Sequence, residues 1–190
     1  MDEDIKLMLA LKAGDKTAFD RLLDIHEKHV INYIYRFTGS RADAEDLAQE
    51  TFLKVYNAAA SYYPASKFTT WLYRIASNVS LDYLRKMKHA RKTGSIDEPL
   101  EGETGGIEKQ VADEKQQSAD LALEDREQSE RVNRALKTLP ENQRSAIILK
   151  IYEDRPYVEI ASIIGVSVPS VESLLFRARH ALKARLKDLK

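Results

Sequence analysis

The chain has 190 residues, 43% of them hydrophobic, with no cysteine and a formal net charge of zero. That size allows one domain or two small ones with real cores, while the absence of thiols excludes disulfides, cysteine-ligated zinc and a thiol nucleophile. No apolar run approaches the roughly 18 residues of a membrane span, and the acidic N-terminus lacks a signal-peptide layout, so we expect a globular cytoplasmic protein.

The neutral total conceals an uneven distribution of charge along the chain. Residues 1–96 carry 15 basic and 12 acidic side chains, residues 97–130 carry 3 and 12, and residues 131–190 carry 12 and 6. Two basic ends therefore flank an acidic middle. Such an asymmetry is favourable for binding nucleic acid, because each end keeps an excess of cations.

The first helices are predicted from apolar spacing. Residues 5–13 form a short amphipathic helix that ends at Gly14, and Asp15 can cap a long helix that ends at Gly39. The apolar side of the long helix consists of Phe19, Leu22, Leu23, Val30, Tyr33, Ile34 and Phe37. Its two histidines have no third ligand nearby, so we predict a core helix and no metal site.

Ser40 begins the next helix, with acids in its first turn that suit the positive end of a helix dipole. Its apolar stripe lies opposite a ridge of carboxylates and one amide, formed by Asp43, Asp46, Gln49 and Glu50. Taken alone, this acidic ridge is either a solvated helix face or a docking surface for a basic partner. The residues themselves leave both interpretations open.

An aromatic loop and a basic helix follow. We predict a loop over residues 57–66, which contains Tyr62 and Tyr63, and then a helix over residues 68–89. The end of this helix and the residues after it hold five cations without an acid: Arg85, Lys86, Lys88, Arg91 and Lys92. Aromatic faces that stack on bases and cations that follow phosphates suit single-stranded nucleic acid. The alternative is that the aromatic residues are core and the cations only solubilise a helix end.

Apolar periodicity is lost from residue 93 to about residue 119, where glycines and acids accumulate. We predict a flexible acidic linker here, and therefore two domains joined by a tether. Helical spacing returns at residues 121–139, and Pro140 begins a further helix with a dense apolar side.

Residues 157–182, YVEIASIIGVSVPSVESLLFRARHAL, predict a helix-turn-helix. Ile160, Ala161 and Ile164 recur at helical spacing up to Gly165, which can adopt positive φ and end a helix in a tight turn. Ser167 can cap the second helix, whose buried side consists of Val171, Leu174 or Leu175, and Ala178. Its other side presents Ser170, Glu172, Ser173, Phe176 and Arg177. The second helix of this motif reads the major groove of DNA.

Four segments in this order resemble one family. GDKTAF, DAEDLAQETFLKVY, KFTTWLYRIASNVSLDYLRK and LPENQRSAIILKIYEDRPYVEIASIIGVSVPSVESLLFRARHAL are similar to segments of the bacterial extracytoplasmic-function (ECF) sigma factors. These are small two-domain members of the RNA polymerase sigma family. The resemblance implies an all-α fold with sigma domain 2 at residues 1–92, a flexible acidic linker at 93–120, and sigma domain 4, with the helix-turn-helix, at 121–190.

The resemblance also implies roles for the surfaces described above. The acidic ridge of Asp43, Asp46, Gln49 and Glu50 would dock on the largest subunit of core RNA polymerase. Melted −10 promoter DNA, with one base flipped into a pocket, would be bound by Tyr62, Tyr63, Lys67, Arg74, Ser77, Asn78, Arg85 and Lys86. Double-stranded −35 DNA would be read by Ser170, Glu172, Ser173, Phe176 and Arg177. An anti-sigma protein is a further implied partner.

One position departs from the family pattern. Many relatives have a basic residue where this chain has Glu172, and another where it has Leu174. We therefore hypothesise that Glu172 accepts a hydrogen bond from a cytosine amino group in the major groove, while Phe176 meets a thymine methyl group.

Two other functions are compatible with parts of the chain. A stand-alone helix-turn-helix regulator would usually dimerise, but no convincing dimerisation heptad is present, and the N-terminal half would have little use. An enzyme acting on nucleic acid would need carboxylates that converge on a metal. The acidic ridge lies on the outer side of one helix, so we expect no catalytic residue, no metal and no cofactor.

Overall fold

The computed structural model describes residues 2–92 and 117–187, and this part of the chain is helical, without a strand. The helices are α1 (Glu3–Lys12), α2 (Thr17–Thr38), α3 (Arg41–Ala58), α4 (Phe68–Lys92), α5 (Gln117–Lys137), α6 (Glu141–Ile151), α7 (Tyr157–Ile164) and α8 (Val168–Arg185), with a 3-10 turn at Ala59–Ser61. Residues 93–116 of the predicted linker lie outside the described residues. Residues 117–120, also assigned to the linker, belong to α5.

Helices α1 to α4 form the N-terminal half around a core supplied by the predicted apolar faces. Leu22, Ile34 and Phe37 of α2 are fully buried. Gly39 ends α2 in the left-handed region at φ 69°, and the Ser40 hydroxyl caps α3 by accepting from the backbone N–H of Asp43 at 3.3 Å. Both helix ends are thus those that the sequence predicts.

Two boundaries in this half differ from the prediction. The loop expected from residue 57 begins only at Tyr62, because the small residues 58–60 continue helical geometry through the 3-10 turn. Helix α4 continues to Lys92 instead of ending near His89. The predicted aromatic loop is therefore short, and the basic run lies on helix throughout.

Helices α5 to α8 form the C-terminal half and contain the helix-turn-helix. Gly165 ends α7 at φ 78°, and the Ser167 hydroxyl accepts from the N–H of Ser170 at 3.4 Å to cap α8. Ile163 is buried where Ile164 was expected, and of the two leucines left open Leu175 is buried and Leu174 only half-buried. The hinge itself is as predicted.

The two halves pack against each other, which the prediction of a simple tether did not include. Arg144 of α6 is 7% exposed and donates to three backbone carbonyls. Nη1 donates to Phe37 at the end of α2 at 3.2 Å, and Nη2 donates to Lys137 and Leu139. Burial lowers the pKa of its guanidinium. Because carbonyls of both halves accept from one buried cation, Arg144 joins the two halves.

Within the described ranges, no single helix is long and apolar enough to cross a membrane. Taken together, α7 and α8 meet the length and composition that a span requires, but they are bent by 95° at the turn between them.

Candidate nucleic-acid interface

The exposed side of α8 carries the five side chains predicted to read duplex DNA. Val171, Leu175 and Ala178 turn inward and are at most 1% exposed, which fixes the rotation of the helix. The opposite side therefore faces solvent, and Phe176 is 71% exposed. Four of the five residues line one shallow depression: Glu172, Ser173, Phe176 and Arg177. The fifth, Ser170, lies at the start of the helix, where its hydroxyl oxygen is 2.8 Å from that of Ser167.

The two tyrosines of the aromatic loop have different environments. Tyr62 is 5% exposed, and its ring lies 5.2 Å from the Trp71 ring, centre to centre. Burial raises the pKa of its hydroxyl. Lys12 donates to the Tyr62 carbonyl at 2.8 Å and fixes the backbone. Tyr63 is 79% exposed. In this conformation only Tyr63 offers a free face to a base, so the assignment of Tyr62 as a contact residue does not fit its burial.

The remaining predicted −10 residues lie on α4 or directly before it. Five of them have exposed side chains: Lys67, Arg74, Asn78, Arg85 and Lys86. Ser77, in contrast, is 2% exposed. Positions 74, 78 and 85 recur at helical spacing, so they share one side of α4. A strip of two cations and one amide results, in which Arg85 Nη1 also pairs with Asp82 Oδ1 of the same helix at 3.3 Å. Asn78 can offer a donor and an acceptor to a base edge.

Helix α7 of the other half packs on α4 beside this strip, and Glu141 and Ser145 of α6 also contact α4. Arg74 donates to the Ser162 carbonyl from Nε at 3.1 Å and from Nη2 at 2.8 Å, and Nη2 also donates to the Ser162 hydroxyl at 2.8 Å. Lys67 Nζ is 2.7 Å from Glu159 Oε1. Arg85 Nη2 is 3.5 Å from Glu141 Oε2. Three predicted phosphate-binding cations are thus contacted by the C-terminal half.

Beneath these ion pairs lies a less exposed layer. The Ser77 and Ser145 hydroxyl oxygens are 3.5 Å apart, and both residues are buried. Tyr73 donates its hydroxyl to Glu153, and the Arg155 guanidinium lies 4.8 Å from the centre of the Tyr73 ring. Burial raises the pKa of the Glu153 carboxyl, although the hydrogen bond from Tyr73 and nearby cations oppose this.

Sequence reasoning missed the acids of this contact. Glu141, Glu153 and Glu159 are three of only six acids among residues 131–190, which carry twelve cations. All three face the N-terminal half. The scarcity of acids in a basic domain is the one sequence signal that could have drawn attention to these three residues. Their spacing does not indicate which surface of the protein they contact.

The acidic ridge of α3 faces solvent, as its sequence pattern predicts. Asp46, Gln49 and Glu50 are exposed, while half-buried Asp43 accepts from the Tyr83 hydroxyl at 2.7 Å. The ridge continues into Leu53, which is 62% exposed and was not predicted as part of it. A single exposed leucine is common on protein surfaces, so the geometry is compatible with either interpretation of the ridge.

Taken together, the described residues define an all-helical, two-part DNA-binding protein with a separate exposed acidic ridge. Comparison with known families agrees: residues 22–90 match Sigma-70 region 2, and residues 129–182 match Sigma-70 region 4. The chain is 33% identical over 188 residues to the ECF RNA polymerase sigma factor SigW of Bacillus subtilis, covering 97% of each chain. It is 34% identical over 188 residues to the ECF RNA polymerase sigma-E factor of Escherichia coli K12, covering 98% of this chain and 95% of that one.

Solved structures show the same similarity. CnrH in complex with the cytosolic domain of CnrY matches over 100% of both chains at 25% identity, with a TM-score of 0.71. The sigma factor RpoE from Bartonella quintana, in complex with the anti-sigma factor NepR, matches 90% of this chain and 98% of that one at 27% identity and a TM-score of 0.63. The chain belongs to the ECF sigma factor family. It is therefore a transcription initiation factor that binds RNA polymerase and directs it to specific promoters.

Proposed function

We propose that three surfaces of this sigma factor divide the work of promoter selection. The acidic ridge of α3, with Leu53, docks on core RNA polymerase, the solvent side of α8 reads the −35 duplex, and the cationic strip of α4 holds the melted −10 strand. The observation that carries the proposal is the depression on α8, where Glu172, Ser173, Phe176 and Arg177 meet on one exposed surface. Recognition of base edges in the major groove uses the groups found here: a hydrogen-bond acceptor, a hydroxyl, an apolar ring and a cation.

The −10 role follows from the chemistry of α4 and the loop before it. Tyr63 supplies an exposed ring on which an extruded base can stack, and Asn78 supplies an amide for a base edge. Lys67, Arg74 and Arg85 supply the cations that phosphates require. Extrusion of a base costs a few kcal/mol of lost stacking, which stacking on an aromatic ring of the protein can offset.

The experiment that tests this proposal is transcription in vitro with core RNA polymerase and promoter fragments. Substitution of Asp46 or Glu50 should lower the affinity for the polymerase, substitution of Ser173 or Phe176 should alter −35 preference, and substitution of Tyr63 or Asn78 should slow promoter opening. Stimulation of specific initiation that survives all three sets of substitutions would contradict the division of roles.

Three further points belong to the same proposal. The protein has no catalysis of its own, since the polymerase supplies the chemistry. It acts in the bacterial cytoplasm, at the nucleoid. It is controlled by an anti-sigma protein, as the solved complex of RpoE with NepR suggests for a related chain. A stand-alone regulator would instead protect a palindromic site without polymerase, so a footprint of the protein alone distinguishes the two functions.

A further inference from the structure

We propose that the free chain masks part of its own −10 surface, because α7 and two side chains of α6, all in the C-terminal half, contact the side of α4 that melted DNA would bind. The proposal rests on the −10 role given above to α4. The contact is made within one chain, so it requires no second protein. A chain in this closed arrangement cannot hold the melted strand until the two halves separate.

The masking contact presents to α4 the same chemistry that DNA would present. Lys67 and Arg85 face carboxylates of Glu159 and Glu141, where a nucleic acid would offer phosphates. Arg85 is also paired with Asp82 of its own helix. Arg74 donates three hydrogen bonds to Ser162. A cation already bound to these acceptors must release them before it binds a phosphate, so DNA and the C-terminal half compete for the same groups.

The seam between the halves also excludes a nucleotide sterically. Ser77 is 2% exposed and Ser145 is fully buried, and 3.5 Å separates their hydroxyl oxygens. Arg155 donates to the Thr69 hydroxyl at 3.0 Å, about two turns nearer the start of α4. No base or phosphate fits into that distance, so access to Ser77 requires α6 to move away from α4.

The mask covers part of one surface only. The reading side of α8 and most of the acidic ridge face solvent, and so do Tyr63 and Asn78 of the −10 surface. The closed chain can therefore meet core RNA polymerase through the ridge while the α4 cations are still engaged by the C-terminal half. Separation of the halves then becomes a step between polymerase docking and capture of the melted strand.

A disulfide across the seam tests the proposal in the full chain. Because the native sequence has no cysteine, the variant Ser77→Cys/Ser145→Cys contains a single possible disulfide, and its hydroxyl positions are close enough for sulfurs that bond at about 2.05 Å. We expect diamide to close this bond, seen as a change of mobility on a non-reducing gel with unchanged helical circular dichroism. The single variants should not respond.

The readout is binding of a fluorescein-labelled random single strand of about 12 nucleotides at low salt. Closing the disulfide should weaken this binding by about tenfold or more, and dithiothreitol should restore it, because only the open fraction binds. Failure of the disulfide to form in the folded double variant would overturn the closed arrangement. If the oxidised chain bound the strand undiminished, masking would be overturned and −10 reading would have to be assigned to another surface.

A second variant leaves α4 unchanged and weakens the mask from the other side. Glu159→Gln/Ser162→Ala removes the negative charge that faces Lys67 and the hydroxyl acceptor of Arg74, while the Ser162 carbonyl still accepts from Arg74. It should bind the same strand several-fold more tightly, in proportion to the gain in open fraction. Glu127→Gln is the matched control, because it removes one carboxylate from an exposed position on α5. Equal affinity of the two variants would show that these contacts do not hold the halves together.

Discussion

Glu172 is an exposed carboxylate on a helix that must approach a negatively charged duplex, and this sets it apart among the residues of α8. It shares a depression with Ser173, Phe176 and Arg177, so it lies among the groups that would contact base edges. A carboxylate there repels phosphates and accepts only from a donor such as the cytosine amino group. Its presence is therefore easier to explain by selectivity than by affinity.

We expect Glu172→Ala to reduce discrimination among −35 sequences by about 1 to 3 kcal/mol at one base pair, the usual contribution of a direct base contact. Transcription from a set of −35 variants, measured with the holoenzyme, checks this. Arg177→Ala is the comparison. It should weaken binding to all −35 sequences alike and reduce the slope of log affinity against log salt concentration by about 1, as the loss of one phosphate contact does. An unchanged ranking of promoters for the Glu172 variant would contradict the assignment.

Tyr62 and Tyr63 are neighbours in sequence, but we expect their alanine variants to affect different properties: stability for Tyr62 and strand binding for Tyr63. Tyr63→Ala should weaken capture of single-stranded DNA by about 1 to 3 kcal/mol and leave folding unchanged, because its ring is exposed. Tyr62→Ala should instead destabilise the fold by about 3 to 5 kcal/mol, as removal of a buried aromatic ring does. Strand binding by fluorescence anisotropy and thermal unfolding by circular dichroism separate the two.

Tyr62→Phe is the matched control for this pair. The buried Tyr62 hydroxyl has no hydrogen-bond partner among the described residues, so its removal should leave stability unchanged or slightly higher. A marked loss of strand binding in Tyr62→Phe, without a loss of stability, would give Tyr62 a direct role after all.

At the scale of elements, Gly165 sets the angle between α7 and α8. Its φ of 78° lies in the left-handed region, and a Cβ added there would meet nothing within 4 Å. The cost of Gly165→Ala is therefore backbone strain alone, about 1 to 2 kcal/mol of unfolding free energy. Gly165→Asn should cost less, since Asn tolerates this conformation better. Denaturant unfolding checks the order, and equal losses for both variants would point to another cause.

The helices and their caps could be predicted because each depends on residues close in sequence. Ser40 and Ser167 cap the helices that they precede, and Gly39 and Gly165 end the helices before them. Burial of Tyr62 could not be predicted in this way. The local sequence of the loop does not determine which of its two tyrosines turns inward. That depends on Trp71 and α1, which the fold places next to the loop.

At the scale of the whole molecule, packing of the two halves has no local signal. Arg144 and Phe37 are 107 residues apart in sequence, and Arg74 and Ser162 are 88 apart. Both of these contacts join a polar side chain to a backbone carbonyl, which leaves no apolar periodicity to read, although buried apolar residues of the two halves also share one core. Each cation could equally be assigned to solvent or to DNA. Only the three-dimensional arrangement reveals that one half of the chain satisfies the cations of the other.

Glu153 makes the contact between the halves sensitive to pH. Its half-buried carboxyl accepts from Tyr73 of α4, while His29 and Arg155 partly offset the effect of burial. Because burial raises its pKa above the ordinary value of 4.5, the closed arrangement holds a proton that the open one releases. Its contribution is full below pH 4.5 and is lost as the pH rises through the raised pKa.

We therefore expect the closed fraction to fall as the pH rises from 4.5 through the raised pKa of Glu153. Two dyes on cysteines introduced at exposed Asp24 and Arg179 report this fraction by energy transfer, since the native chain has no thiol. Glu153→Gln keeps an acceptor for Tyr73 but cannot ionise, so the change with pH should disappear. Asp154→Asn is the neighbouring control: pairing with Lys150 lowers the pKa of exposed Asp154, which places its titration below this range. An unchanged pH response in Glu153→Gln would assign the effect to another group.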